Sequence, residues 1–222
     1  MNIELRNLTK HYPNNPNPIL DEISLTIPGG STIAIVGPSG SGKSTLLNLA
    51  GTLDFPDSGE VLLDGKDTSQ MTKPELEAIR NRKIGFVFQS HFLLPQLTVM
   101  ENIMLPAIPR EPEFKKYVPE RAKQLLHEVG LADKKDRLPG EMSVGECQRV
   151  ALVRALINEP EIVLADEPTG SLDQNSAEKL MDMIMKLRQS HPFTLVAVTH
   201  SPDLVKRAAI TYQLVNGKIF RN

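Results

Sequence analysis

The chain has 222 residues, 40% of them apolar, and 25 basic side chains stand against 27 acidic ones. That length supports one sizeable domain with an ordinary core, and the net charge of −2 argues against a nucleic-acid binder, which would be strongly basic. A single cysteine, Cys147, excludes an internal disulfide. The opening Met1–Arg6 is no signal peptide, and no apolar run approaches the roughly 18 residues of a membrane span, so any membrane crossing falls to another chain.

Ile3, Leu5 and Leu8 predict an edge strand, and the Pro- and Asn-rich stretch 11–18 a loop. Alternation of Ile23, Leu25 and Ile27 predicts a half-buried strand over 22–27, which Pro28-Gly29-Gly30 turns into a strand over 32–36. A helix follows over 44–50, then a turn at Asp57-Ser58-Gly59, and Val61-Leu62-Leu63 enters a hairpin at Asp64-Gly65. Thr72-x-x-Glu75 is a capping box with Pro74 in the first turn, opening a helix to about Arg82, and a strand covers Ile84–Phe88.

Between about 90 and 157 no strand is predicted. Thr98-x-x-Glu101 opens a short helix that stops before Pro106, and prolines 106, 109, 112 and 119 predict a loop over 106–119. Ala122, Leu125, Leu126 and Val129 recur at helical spacing and are closed by Gly130, and Ser143-x-x-Glu146 opens a helix to about Ile157. Residues 90–157 thus read as a helical lobe inserted into an α/β body made of 1–89 and 158–222. In that body Ile162–Ala165 is a buried, parallel-type strand, 174–190 a helix burying Leu180, Ile184 and Leu187, and 195–198 a strand. Ser201-Pro202 caps a short helix, and Asn216-Gly217 turns a final hairpin.

Three stretches carry chemistry. Gly37, Gly42, Lys43 and Ser44 fill the pattern G-x-x-x-x-G-K-[ST], preceded by a strand and followed by a helix. Glycines let successive backbone N–H groups wrap a phosphate, the helix start aims its positive end at it, Lys43 reaches the β/γ-phosphates and Ser44 binds Mg²⁺. The bland alternative is a glycine-rich turn. Asp166 and Glu167 end the strand 162–165, where open α/β sheets place their ligands. Asp166 suits a metal, and Glu167 a water to be activated for phosphoanhydride hydrolysis; alone, the pair could equally cap the next turn. Ser143-Val144-Gly145-Glu146 offers a second helix start for an anion, or an ordinary capped helix.

These motifs, in this order, resemble an ATP-binding cassette (ABC) ATPase along essentially the whole chain. The resemblance implies a P-loop NTPase: a RecA-like α/β core with an antiparallel β subdomain and an inserted α-helical subdomain. Gly37, Pro38, Ser39, Gly40, Ser41, Gly42, Lys43, Ser44 and Thr45 match the Walker A loop, and Ile162–Asp166 matches Walker B with Glu167 as its catalytic glutamate. Gln89 matches the Q-loop glutamine that touches Mg²⁺, and His200 the switch histidine. Ser143, Gly145 and Glu146 match the signature, Asp173 the D-loop, and Tyr12 the aromatic that stacks on adenine. Val144 and Cys147 depart from the signature: Val144 stands for a glycine, and Cys147 reads as a small neighbour, not a metal ligand.

The resemblance further implies ATP and Mg²⁺ as cofactors and a second copy paired head to tail. It also implies a membrane permease docked near Gln89–Leu97, where Phe92, Leu93, Leu94 and Leu97 read equally as docking surface or core. Such a cassette lies in the cytoplasm, on the inner face of the membrane. The stretches around Leu46–Gly51, His91–Pro95, Glu101–Ile103 and Ala165–Asp173 resemble the group of lipoprotein-releasing, macrolide-export and cell-division ATPases. A regulatory ATPase without transport is one alternative. A DNA-repair ATPase is another, but it would carry a coiled coil between Lys43 and Ser143, where no heptads occur.

Overall fold

The computed structural model describes residues 1–13 and 16–221; of the expected loop 11–18, residues 14 and 15 lie outside the described residues. The chain runs β1 (Ile3–Lys10), β2 (Leu20–Ile27), β3 (Thr32–Val36), α1 (Lys43–Ala50), β4 (Ser58–Leu63), β5 (Lys66–Asp67), α2 (Lys73–Lys83) and β6 (Ile84–Val87). It continues through α3 (Val99–Met104), α4 (Pro112–Glu128) and α5 (Val144–Leu156). After β7 (Ile162–Asp166) come α6 (Gln174–Ser190), β8 (Thr194–Val198), α7 (Pro202–Arg207), β9 (Ile210–Val215) and β10 (Lys218–Arg221).

A four-stranded sheet has the order β2-β1-β4-β5 and a six-stranded sheet the order β10-β9-β3-β8-β7-β6. In the larger sheet β6, β7, β8, β3 and β9 are parallel, and β10 closes the edge as an antiparallel hairpin strand. The period of two sorts its side chains. Ile33, Ile35, Ile162, Leu164, Val196 and Val198 face α1 and the smaller sheet. Ala34, Val163, Ala165, Leu195 and Ala197 face the helices, in one core with Ile103, Leu125, Leu152 and Ile184. Strands buried on both faces read as unbroken apolar runs, which is why these segments are so plain in the sequence.

Three expectations need correction. β1 is no edge strand: Leu5 pairs with Leu25 on one side and Val61 on the other. Alternation reports a buried face and is silent about whether one or both backbone edges are paired. The turn expected at 57–59 is already strand, β4 starting at Ser58. Gly59 there has φ +87°, and a Cβ on it would lie 2.4 Å from Asn7 O, so the glycine serves a close approach of β1.

The loop expected over 106–119 ends early, because α4 starts at Pro112. A proline at the first helical position lacks only an N–H that would have no intrahelical partner. Pro119 then sits inside the helix and deprives the Lys115 carbonyl of its bond. Burial of Val118, Ala122, Leu125 and Leu126 along the same helix offsets that loss.

Candidate nucleotide site

The phosphate loop leaves β3 at its carboxyl end and enters α1 through Gly42, the N-cap, whose φ of +97° no other residue type adopts cheaply. Gly37 has no room for a side chain: a Cβ would lie 2.1 Å from Leu214 O. Lys43 is buried, its Nζ donating to the carbonyls of Gly37 and Pro38 at 3.0 Å each and lying 3.3 Å from His200 Nε2. Ser39, Gly40, Gly42, Lys43, Ser44 and Thr45 line a cavity of about 670 Å³. Gly37 and Pro38 support the loop from behind, and Ser41 is buried with its Oγ unpartnered.

The opposite wall of this cavity comes from strand ends far away in sequence. Asp166, the last residue of β7, lines it together with Glu167, Gln89, His200 and Tyr12. Glu167 has a left-handed φ of +45°, and its N–H donates to Val198 O at 3.0 Å. This turn aims the carboxylate across at β8: Oε2 accepts the His200 N–H at 3.1 Å, and Oε1 lies 3.2 Å from His200 Nε2. One ring nitrogen cannot donate to Glu167 and accept from Lys43 at once. Nε2 lies between the two, 3.3 Å from Lys43 Nζ and 3.2 Å from Glu167 Oε1, so the ring bridges the loop lysine and the strand-end acid. Exposed Gln89 lies next to Gly170, where a Cβ would come within 3.2 Å of its Nε2.

Tyr12 is held at the rim from below. Its hydroxyl donates to Asp54 Oδ2 at 3.2 Å, and the buried Lys10 Nζ lies 5.6 Å from its ring centre while donating to Asp54 Oδ1 at 2.9 Å and Phe55 O at 2.6 Å. Burial pushes the Asp54 carboxyl up, but the hydrogen bond and charge of Lys10, with the Phe55 N–H and the Tyr12 hydroxyl, hold it below the usual carboxylate range.

Ser143, Gly145 and Asp173 are not brought to this cavity. They line a second cleft of about 710 Å³ with Val144, Arg149 and Lys179, and among the described residues the two clefts share no lining residue. Ser143 caps α5: its Oγ accepts the Glu146 N–H at 3.3 Å and its own N–H donates to the Glu146 carboxylate at 2.8 Å. Glu146 is thus occupied by the cap and does not line the cleft. Asp173 caps α6, accepting the Ser176 N–H at 3.0 Å. Val144 is exposed and faces the second cleft, whereas Cys147 is buried, its Sγ 3.5 Å from Pro139 O.

The sequence reading passed over Lys10 and Asp54 under Tyr12, and Gln148 and Arg154 on α5. Gln148 Nε2 donates to Phe88 O at 2.9 Å, next to Gln89. It shares a helix face with buried Ala151, Leu152 and Ala155, and a polar residue on an apolar face is the signal that could have found it.

A family profile described as "ABC transporter" matches residues 20–170. The lipoprotein-releasing system ATP-binding protein LolD of Syntrophus aciditrophicus is 45% identical over 223 residues, covering 98% of each chain. LolD of Bacteroides thetaiotaomicron is 46% identical over 217 residues, again with 98% of each chain covered. The ATP-binding cassette MJ0796, solved as a dimer in a post-hydrolysis state with ADP and Pi, superimposes with a TM-score of 0.88 at 38% identity over 99% of this chain and 97% of that one. CbiO1 of Clostridium perfringens, part of the transporter complex cbiONQ, gives a TM-score of 0.87 at 26% identity, covering 98% and 86%. With its phosphate loop, its strand-end acids and these likenesses, the chain belongs to the ABC transporter family, as an ATP-binding and ATP-hydrolysing cassette.

Proposed function

We propose that this cassette is the ATPase subunit of a lipoprotein-releasing transporter, paired head to tail with a second copy and docked on a permease at the cytoplasmic face of the membrane. The near-full-length similarity to proteins named for lipoprotein release supports the substrate class. The observation that carries the pairing is the pair of separate clefts: Lys43 and Glu167 line one, Ser143 and Gly145 the other. In a head-to-tail pair each signature cleft faces the phosphate loop of the partner, and the cassette MJ0796, on which this chain superimposes, was solved as a dimer.

Within one site, loop N–H groups, the α1 N-terminus and Lys43 hold the phosphates of ATP. Tyr12 offers its ring to the base. Ser44, Asp166 and Gln89, oxygen donors on one cavity, fit Mg²⁺, which keeps several waters and takes few protein ligands. When bound, the ion neutralises charge on the β- and γ-phosphates. Glu167 accepts a proton from the attacking water, and His200 steadies Glu167 and meets the γ-phosphate beside Lys43. Ser143 and the Gly145 N–H of the second copy close over the same phosphate, with Asp173 beside them. Exposed Phe92 and Leu94 form the docking surface; the permease rests on them beside Gln89.

Glu167→Gln tests the centre of this reading. It keeps shape and loses the base, so hydrolysis should fall by about two to four decades while ATP still binds. Light scattering with MgATP should then find a dimer, and Glu167→Gln/Ser143→Arg should stay monomeric. Wild-type turnover in Glu167→Gln would overturn the catalytic assignment, and a dimer in the double variant the shared site. For the substrate, proteoliposomes holding the cassette, its co-purifying permease and a lipid-anchored protein should release that protein with ATP; hydrolysis without release would remove lipoprotein as the cargo.

A further inference from the structure

Tyr12 is joined to a group of side chains that stays out of the nucleotide cavity. Lys10 ends β1, two residues earlier, and is buried. Its Nζ donates to Asp54 Oδ1 at 2.9 Å and to Phe55 O at 2.6 Å, and stands 3.8 Å from Asp57 Oδ1. The same ammonium lies 5.6 Å from the Tyr12 ring centre, within reach of a cation's attraction to an aromatic face. Asp54 Oδ2 accepts the Tyr12 hydroxyl at 3.2 Å. Asp57 braces the backbone between Lys10 and Tyr12: its Oδ2 accepts the His11 N–H at 2.6 Å, and its own N–H donates to Thr9 O at 2.9 Å. Of these residues, Tyr12 alone lines the cavity.

Asp54 is itself mounted on the helix that follows the phosphate loop. Beyond the end of α1, the N–H groups of Leu53 and Asp54 both donate to Asn48 O, at 2.8 and 3.3 Å. Buried Thr52 turns the chain there with a left-handed φ of +58°, which a β-branched residue keeps only when its surroundings enforce it. Arg80 donates to the Thr52 carbonyl at 2.9 Å and holds that turn. The eight residues of α1 span about 12 Å as one rigid rod. One end presents Lys43 to the cavity, and the other holds the ring of Tyr12 through Asp54. A tyrosine free to rotate in a Pro- and Asn-rich loop would lose that freedom on meeting a base, whereas a ring already fixed loses little.

We propose that Asp54, anchored by Lys10, is a positioning residue for nucleotide binding: it fixes the Tyr12 ring relative to the phosphate loop, so that the two ends of α1 grip the base and the phosphates of one nucleotide. This rests on the reading above that Tyr12 offers its ring to the base. The hydroxyl proton is engaged by Asp54, so the ring meets the base with its face alone.

Titration calorimetry of the full chain with MgADP tests this and leaves ATP hydrolysis out of the measurement. Tyr12→Ala should weaken binding roughly 10- to 100-fold, the loss of one aromatic stack. Asp54→Ala should weaken it roughly 3- to 10-fold, the cost of immobilising one freed side chain. Tyr12→Phe, which keeps the ring and cuts the tether, should follow Asp54→Ala. The double variant Tyr12→Ala/Asp54→Ala should bind no more weakly than Tyr12→Ala, because Asp54 acts through the ring. Magnesium pyrophosphate, with phosphates and no base, should bind Asp54→Ala as it binds the wild type. A merely structural Asp54 would weaken ADP by the same factor with and without the ring, and would weaken pyrophosphate too; either result overturns the proposal. If Asp54→Ala loses its cooperative melt, Tyr12→Phe decides, and wild-type affinity for ADP there overturns the proposal. Wild-type affinity in Tyr12→Ala would remove the stacking reading and this proposal with it. A weakened Tyr12→Ala beside Asp54→Ala and Tyr12→Phe at wild-type affinity would sink this proposal alone.

Discussion

Gly37 and Gly40 lie in the same loop and are constrained differently. At Gly37 a Cβ would press on the main chain of β9, 2.1 Å from Leu214 O, so Gly37→Ala must push β3 and β9 apart. At Gly40 the space is open and only the φ of +77° resists, a cost of about 1–2 kcal/mol. Gly37→Ala should therefore lower the melting temperature and abolish ATP binding, while Gly40→Ala should fold and bind more weakly; equal losses in calorimetry and nucleotide titration would contradict this. Lys43→Ala should fold and lose most turnover, since among the described residues no other lysine or arginine lines the cavity. Residues such as Lys43 and Asp166 were legible because a phosphate loop and a strand-end acid are local patterns. Lys10, Asp54 and Tyr12 were not legible together, because the contacts that hold the ring join residues about 40 positions apart and leave no periodicity.

At the scale of elements, helix starts were the most readable features and prolines the least. Thr72-x-x-Glu75, Thr98-x-x-Glu101 and Ser143-x-x-Glu146 each open a helix, because a capping box is complete within four residues. Glu146 is held below the usual carboxylate range chiefly by the Ser143 N–H, Glu101 chiefly by the Thr98 N–H, and Glu75 chiefly by the Thr72 hydroxyl. A depressed carboxyl contributes stability that is fully present above its unfolded value, roughly 4.3, and lost as pH falls through the lower folded value. Stability should thus fall on the acid side of that value, and Glu146→Gln should flatten the fall in denaturant titrations at several pH values; an unchanged acid limb would deny the cap its role. Pro119 misled the reading because proline is taken as a stop, whereas the packing of its neighbours overrides it. Pro119→Ala restores a donor to Lys115 O and frees the unfolded chain slightly, a net gain of about 1–2 kcal/mol visible in the melting curve.

At the scale of the molecule, the stretch 92–94 divides between inside and outside, which an apolar run cannot announce. Leu93 is 7% exposed and belongs to the helical core, while Phe92 and Leu94 are 63% and 41% exposed. Leu93→Asp should cost several kcal/mol by burying a charge, enough to unfold much of the chain, whereas Leu94→Asp should fold normally and fail to retain the permease on purification. Sheet order was the other feature beyond reach, since β3 pairs with β8 and β9, made from residues more than 150 positions later. That placement governs how the protein is born. On the ribosome the phosphate loop stays an open strand end for a long stretch of synthesis, because the neighbours of its strand and the oxygen behind Gly37 are translated more than 150 residues after it. Nascent chains of increasing length should therefore gain affinity for nucleotide in one late step, once residues 194–215 have cleared the exit tunnel, and until then the cell carries a chain with an exposed apolar strand for chaperones to shield.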